Sequence, residues 1–217
     1  MPPSNRSKAI FLDKDGTLVE NVPYNVDPQK VWLCDGAIEG LKLLQSANYQ
    51  LIVVTNQSGI ARGYFPEPEL FAVERRLHEL LIPHHVWLDG FYYCPHHPDG
   101  IVKPYAIDCD CRKPKPGLLY RAAQENAIDL EQSWLIGDIL NDIEAGRTAG
   151  CRTVLIDNGN ETEWQLSRQR LPHHCVTNFY EAAQVILAID QAIQTPKPIS
   201  YVPPSLLLTE TFTSHEF

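Results

Sequence analysis

The chain is 217 residues long and carries 18 Lys and Arg against 27 Asp and Glu, a formal net charge of −9. Such a length suits one domain, or one domain with a tail, and is enough to bury a substantial core. The acidic balance argues against non-specific nucleic-acid binding, which depends on Lys and Arg neutralising phosphates, and favours a small-molecule partner.

Taken in chain order, the first residues run Met-Pro-Pro-Ser-Asn-Arg-Ser-Lys and lack the apolar stretch of a secretory signal. No later run approaches the roughly 18 apolar residues of a membrane helix. The expectation is a cytoplasmic monomer with no membrane contact. Residues 9–12 are apolar and end at an acidic loop, as in a buried strand whose carboxyl end carries polar residues. Asp35 is placed as a helix N-cap ahead of Ile38, Leu41 and Leu44, with Asn48 as the stop before a second strand at 51–54. After Pro66 and Pro68, the residues Leu70, Val73, Leu77, Leu80 and Leu81 share one helical face. A third strand is read at 90–93, a helix at 117–126, a strand at 134–136, a helix at 142–149 and a strand at 153–156.

Strands that alternate with helices imply right-handed crossovers, hence a doubly wound α/β fold with a mostly parallel sheet and helices on both faces. Ligands bind such sheets at the strand carboxyl ends, where Asp13, Thr55 and Asp138 all stand. The domain is drawn over 1–194. Residues 195–217, with Pro196, Pro198, Pro203 and Pro204, read as an extended tail in which Leu206, Leu207 and Leu208 offer a docking patch.

The loop Phe11-Leu12-Asp13-Lys14-Asp15-Gly16-Thr17 sets two carboxylates two residues apart. Alone, Asp-x-Asp-Gly is an ordinary turn. It also suits attack on phosphorus, because a carboxylate can split phosphate-ester hydrolysis through a phosphoaspartate if cations mask the dianion's charge. Further blocks supply what that chemistry requires. Val53-Val54-Thr55-Asn56-Gln57-Ser58-Gly59 brings a hydroxyl and amides, Arg112-Lys113-Pro114 brings positive charge, and Ile136-Gly137-Asp138 with Asp142 brings a second acidic strand end. Each has a structural alternative: Thr55 as a backbone cap, Lys113 as a surface lysine with Lys115 as its rival, Asp138 as a helix cap, Asp142 as a first-turn acid.

Cys94-Pro95-His96 and Cys109-Asp110-Cys111 make a C-x-H…C-x-C set of three sulfurs and one imidazole within 94–111. That is the donor inventory of a closed tetrahedral Zn2+ site with a structural role, since no position is left for water. Disulfides are the alternative, disfavoured by a cytosolic setting. Cys34, Cys151 and Cys175 lack such spacing and are expected as buried free thiols. His97 is read as a surface or supporting residue, and His84, His85, His173 and His174 as surface residues.

The four blocks, in this order, resemble the haloacid dehalogenase superfamily of phosphohydrolases over nearly the whole α/β body. The resemblance implies Asp13 as nucleophile and Asp15 as the acid that protonates the leaving oxygen and later deprotonates water. It implies Thr55 and Lys113 as holders of the phosphoryl group. It also implies Mg2+ on Asp13, the main-chain carbonyl of Asp15, and Asp138, with Asp142 behind them. About forty residues separate the first two blocks, so a capless member is expected, with the Cys/His loop on the rim. Tyr92-Tyr93-Cys94-Pro95-His96-His97-Pro98, the long spacing to Cys109 and the following Arg112-Lys113-Pro114 are similar to the heptose bisphosphate phosphatase subgroup, as is Thr55-Asn56-Gln57-Ser58-Gly59-Ile60-Ala61-Arg62-Gly63. Histidinol-phosphate phosphatases share the ligands with a shorter loop, and a non-catalytic zinc-stapled binding protein is the reading of another class. A small phosphorylated metabolite is the expected partner, with Tyr24, Asn56, Gln57, Ser58, Arg62 and Arg112 as its contacts. The chain departs from the subgroup at Asn21, Val22 and Pro23, at Ile139 where a lysine is usual, and over 157–164.

Overall fold

Apolar runs with few charges form strands that must be covered on both faces, and here they make one parallel sheet. The computed structural model describes residues 6–194. Its strands are β1 (Ala9–Leu12), β2 (Gln50–Asn56), β3 (Gly90–Cys94), β4 (Trp134–Gly137), β5 (Arg152–Ile156) and β6 (His174–Val176). The helices are α1 (Ala37–Ser46), α2 (Leu70–Leu81), α3 (Gly117–Glu125), α4 (Leu140–Ala149) and α5 (Phe179–Gln194). The strand order is β3-β2-β1-β4-β5-β6, and every pairing is parallel.

Side-chain alternation along β1 divides the core. Ile10 and Leu12 join the layer built with Leu41 and Leu44 of α1, Val73 and Leu77 of α2, and Phe179 and Ile186 of α5. Ala9 and Phe11 face the opposite layer, with Leu118, Leu119 and Ala122 of α3 and Ala145 and Ala149 of α4. The chain travels outward from β1 to β2 and β3, then returns to β4 on the other side of β1. The strand order therefore reverses at β1, which opens a crevice beyond the carboxyl ends of β1 and β4.

Several expectations are corrected. Asp35 does not cap α1; the chain enters that helix through Gly36 at φ 73°, and no side-chain cap bond is made. Left-handed backbone is accessible to glycine at low cost, and the entry needs it one residue after Asp35. Of the unassigned cysteines only Cys151 is buried, whereas Cys34 is half-buried and Cys175, on edge strand β6, is exposed. The sheet also gains β6 and α5. The signal for α5 was present: Phe179, Ala182, Ala183 and Ile186 have helical spacing and are all buried. Just before them, Glu181 N donates to Asn178 Oδ1 at 2.9 Å and Thr177 N donates to Glu181 Oε2 at 3.0 Å, a reciprocal cap. The predicted tail at 195–217 lies outside the described residues.

Candidate active site

The carboxyl end of β1 delivers Asp13 to the crevice. Asp13 N donates to Ile136 O at 3.0 Å, so the β1–β4 ladder continues into the acidic loop and aligns it with the loop after β4. The turn then closes on itself, with Gly16 N donating to Val19 O at 2.7 Å and Leu18 N to Lys14 O at 3.0 Å. Gly16 sits at φ 89°, and a Cβ there would lie 2.1 Å from Asp138 Oδ2. Both the backbone conformation and the close approach of Asp138 require glycine.

Lys113 is the hub. Its side chain is 2% exposed, and its ammonium lies 2.5 Å from Asp13 Oδ1, 2.6 Å from Asp142 Oδ1 and 2.9 Å from Val54 O. The neighbouring Asn56 fixes the lysine's backbone by a reciprocal pair, Asn56 Nδ2 to Lys113 O and Lys113 N to Asn56 Oδ1, each 3.0 Å. Lys115 instead pairs with Asp108 at 2.7 Å on the surface, which removes it as a rival. Burial acts to lower the Lys113 pKa, but the carboxylates of Asp13 and Asp142 overcome it and hold the ammonium above its ordinary range.

Asp13, Asp138 and Asp142 each offer an oxygen within 4.8 Å of the others, and all three are buried. Burial first, then the Asp142, Asp138 and Asp15 carboxylates, push Asp13 well above the usual carboxylate range against the pull of Lys113. Asp138 is pushed up to about 7 by burial and by Asp142, while hydrogen bonding from Asn160 acts the other way. Three desolvated carboxylates around one ammonium are an excess of hard anionic oxygen, the donor chemistry that fits Mg2+. Asp142 Oδ1 is taken up by the Lys113 ammonium at 2.6 Å, and its Oδ2 accepts from Ile139 N at 3.3 Å, so its capping duty is met as well.

Asp15 points elsewhere. Its Oδ2 accepts from Gln57 Nε2 at 3.0 Å and its Oδ1 pairs with the ammonium of Lys14, itself buried. The same Gln57 amide donates to Thr55 Oγ1 at 2.9 Å, which links the end of β2 to the acidic loop. Beside these groups a cavity of about 220 Å³ is lined by Asp15, Asn21 to Asn25, and Asn56 to Gly59, so Tyr24, Asn56, Gln57 and Ser58 meet there. Tyr24 has φ 53° and packs edge-on to Tyr64 at 4.5 Å. Arg62 and Arg112 do not line that cavity; they lie against the Cys/His loop. Arg62 Nη2 is 2.9 Å from His97 Nε2, and Arg112 Nη1 is 3.5 Å from His96 O. Burial, then the charges of Arg112 and Arg62, hold the His97 imidazole below its ordinary value.

In that loop Cys94, His96, Cys109 and Cys111 face a common centre, with ligand atoms within 4.8 Å of one another. Sulfur–sulfur separations are 3.5 Å for Cys94–Cys109 and 3.2 Å for both Cys94–Cys111 and Cys109–Cys111, and His96 Nδ1 is 3.3 Å from Cys111 Sγ. These exceed the ~2.05 Å of a disulfide and approach the roughly 3.8 Å edge expected for ~2.3 Å metal–sulfur bonds in a tetrahedron. All are free thiols. Cys111 is pulled down to about 5, first by its hydrogen bond with Cys94 and despite burial, with Cys109 and His96 adding to the effect. A stabilised thiolate beside two thiols and an imidazole is a donor set compatible with zinc.

The segment after β5 holds site residues that the sequence reading missed. Asn158 Nδ2 donates to Gly16 O at 2.7 Å, Asn160 Nδ2 to Asp138 Oδ2 at 2.8 Å, and Glu161 Oε2 accepts from Leu140 N at 2.6 Å. No spacing rule marks them, because Asn-Gly-Asn reads only as a turn. Lys14 was likewise passed over as a loop residue.

A family model described as HAD-hydrolase-like matches residues 110–182. The D-glycero-beta-D-manno-heptose-1,7-bisphosphate 7-phosphatase of Pasteurella multocida is 46% identical over 153 residues, covering 70% of this chain and 83% of that protein. Its counterpart in Escherichia coli K12 is 40% identical over 168 residues, covering 73% and 88%. Among solved structures, a protein from Mesorhizobium loti described as a HAD-like phosphatase superposes with a TM-score of 0.75 at 34% identity, covering 86% of this chain and 87% of that one. The D,D-heptose 1,7-bisphosphate phosphatase of B. bronchiseptica, complexed with magnesium and phosphate, gives 0.69 at 29% identity and covers 84% and 99%.

Proposed function

Since the chain belongs to the haloacid dehalogenase-like phosphatases, we propose that it removes the 7-phosphate of D-glycero-D-manno-heptose 1,7-bisphosphate through a phosphoaspartate on Asp13. The observation that carries this reading is the buried Asp13–Lys113–Asp142–Asp138 constellation at the end of β1, in a chain 46% identical to a phosphatase named for that substrate. Asp13 attacks phosphorus as the ester oxygen leaves, and Asp15 gives that oxygen its proton. Asp15 then takes a proton from the water that hydrolyses the phosphoaspartate and returns Asp13 as a carboxylate. Lys113 and the Thr55 hydroxyl hold the non-bridging oxygens, and Gln57 holds Asp15 toward the leaving ester oxygen. Asp13, the main-chain carbonyl of Asp15, and Asp138 would hold Mg2+, which when bound supplies the charge neutralisation that lets a carboxylate approach a phosphate dianion.

Cys94, His96, Cys109 and Cys111 would hold a structural Zn2+ that shapes 94–111 as the rim of the site. Tyr24, Asn56, Gln57 and Ser58 contact the sugar near the scissile bond, and Arg62 and Arg112 take up its anionic end. Reduced thiols fit a cytoplasmic setting. No helix among the described residues is long and apolar enough to cross a membrane.

The test is a kinetic comparison of both heptose 1,7-bisphosphate anomers, histidinol phosphate and other sugar phosphates, with magnesium present and removed. The heptose bisphosphate, and first its β anomer, for which the relatives are named, is expected to give the highest kcat/KM. A higher value for histidinol phosphate would replace the substrate assignment. Failure on every phosphate ester, with the protein folded, would favour a zinc-stapled binding protein instead.

A further inference from the structure

The segment after β5 departs from the subgroup's sequence pattern, yet it touches both acidic loops of the site. Asn158 holds the nucleophile loop at Gly16 O, Asn160 holds the Asp138 carboxylate, and Glu161 holds the first main-chain amide of α4 at Leu140. Asn160 N is itself 3.2 Å from Asn158 Oδ1, so the segment is folded onto its own turn before it reaches across. At its outer side, Asn160 Oδ1 is 3.5 Å from Asn21 Nδ2, on the loop that lines the cavity beside Asp15.

The position of Asn160 is specific. Asp138 has one oxygen, Oδ1, near the Thr17 hydroxyl at 3.3 Å, and the other, Oδ2, on the Asn160 amide at 2.8 Å. Between the two loops the missing side chain of Gly16 makes the space: a Cβ there would lie 2.1 Å from Asp138 Oδ2 and 2.5 Å from Asn160 Nδ2. The carboxylate cannot turn freely about its Cβ–Cγ bond without giving up one of these donors. A group that orients a metal-binding carboxylate tunes metal affinity, and its loss typically costs about 10–100-fold.

We infer that Asn160 is a positioning residue for the divalent-cation site: its side-chain amide fixes the Asp138 carboxylate in the orientation that receives the ion, and Asn158 and Glu161 secure the segment that carries it. The inference concerns ion binding alone and holds whichever phosphate ester is the substrate.

Two full-length variants test it. Asn160→Ala removes the amide, and Asn160→Leu keeps the branched shape while removing the donor, which guards against a loss caused by altered packing. Mn2+ binding is measured by electron paramagnetic resonance without substrate, alongside the Mg2+ concentration for half-maximal phosphate release and thermal unfolding in EDTA. Both variants are expected to bind Mn2+ roughly 10–100-fold more weakly. Their half-saturating Mg2+ should rise in step, kcat at saturating Mg2+ should stay within about twofold of the parent, and unfolding in EDTA should be little changed. Mn2+ affinity within twofold of the parent in Asn160→Leu would overturn the assignment. So would a fall in kcat that saturating Mg2+ does not restore while Mn2+ affinity is unchanged.

Discussion

Lys113 shows how a single charge organises this site. With its ammonium against Asp13, Asp142 and Val54 O, it is the buried cation that the carboxylates share. Breaking a buried pair by deleting one partner typically costs about 3–5 kcal/mol, because the other charge is left without compensation. Lys113→Ala is therefore expected to lower stability by about 3 kcal/mol or more in urea unfolding with EDTA present, besides losing activity. A variant within 1 kcal/mol of the parent would mean that the carboxylates take up protons in place of the ammonium. Asp13→Asn changes little in size and removes the carboxylate proposed as nucleophile. Release of phosphate from a generic aryl phosphate should drop by at least about 10³-fold with the fold retained. At this scale Asp13, Asp15, Thr55, Lys113 and Asp138 were singled out by the four sequence blocks and the family resemblance those blocks carry. Lys14, Asn158 and Asn160 were not legible. Asn158 and Asn160 depend on which atoms of other loops they meet, and a turn-forming composition says nothing of that; Lys14 is buried against its neighbour Asp15.

Among elements, the contact of α1 with α5 is set by a glycine on α1. Helix propensity alone favours Gly40→Ala by about 1 kcal/mol. A Cβ at that position would lie 2.6 Å from Phe179 Cδ1 and 3.1 Å from Phe179 O, and overpacking of that kind typically costs about 1–3 kcal/mol. Packing should win: a net loss of about 1 kcal/mol, read as a Tm lower by roughly 2–4 °C in a chain of this size. A rise in Tm would show that α5 yields. The Cys/His loop gives a second test at this scale. Elemental analysis should find one zinc per chain, and stripping it, or Cys109→Ser, should lower Tm by roughly 5–10 °C through loss of the loop's cross-link. Retention of Tm in a protein shown to be zinc-free would remove the structural role. The helices at Ala37–Ser46 and Leu70–Leu81 were readable from their apolar stripes. Helix α5 was overlooked although its cap and stripe are present in the sequence, while β6, only His174–Val176, is too short for periodicity to register.

Across the whole molecule, charge and topology bear on different questions. A net charge of −9 disfavours non-specific association with nucleic acid and adds repulsion between copies of the chain. Light scattering is expected to return the mass of one chain, 24.6 kDa; a dimer mass would shift attention to edge strand β3. The sequence by itself determined the parallel α/β class and the order of the four acid, hydroxyl and lysine blocks. It also determined the Cys/His ligand inventory, because strand hydrophobicity, motif offsets and donor types are local properties. Tertiary structure alone decided that the strand order reverses at β1 and that Asp13 and Asp142 share the Lys113 ammonium. It likewise decided that Asp142 lies beside Asp13 and Asp138 and that Asn160 meets Asp138 over the bare Cα of Gly16. The physical reason is that burial and through-space charge depend on which loops converge at the sheet's carboxyl edge. That convergence is set by tertiary packing, which brings Lys113 against Asp13 and Asn158 against Gly16.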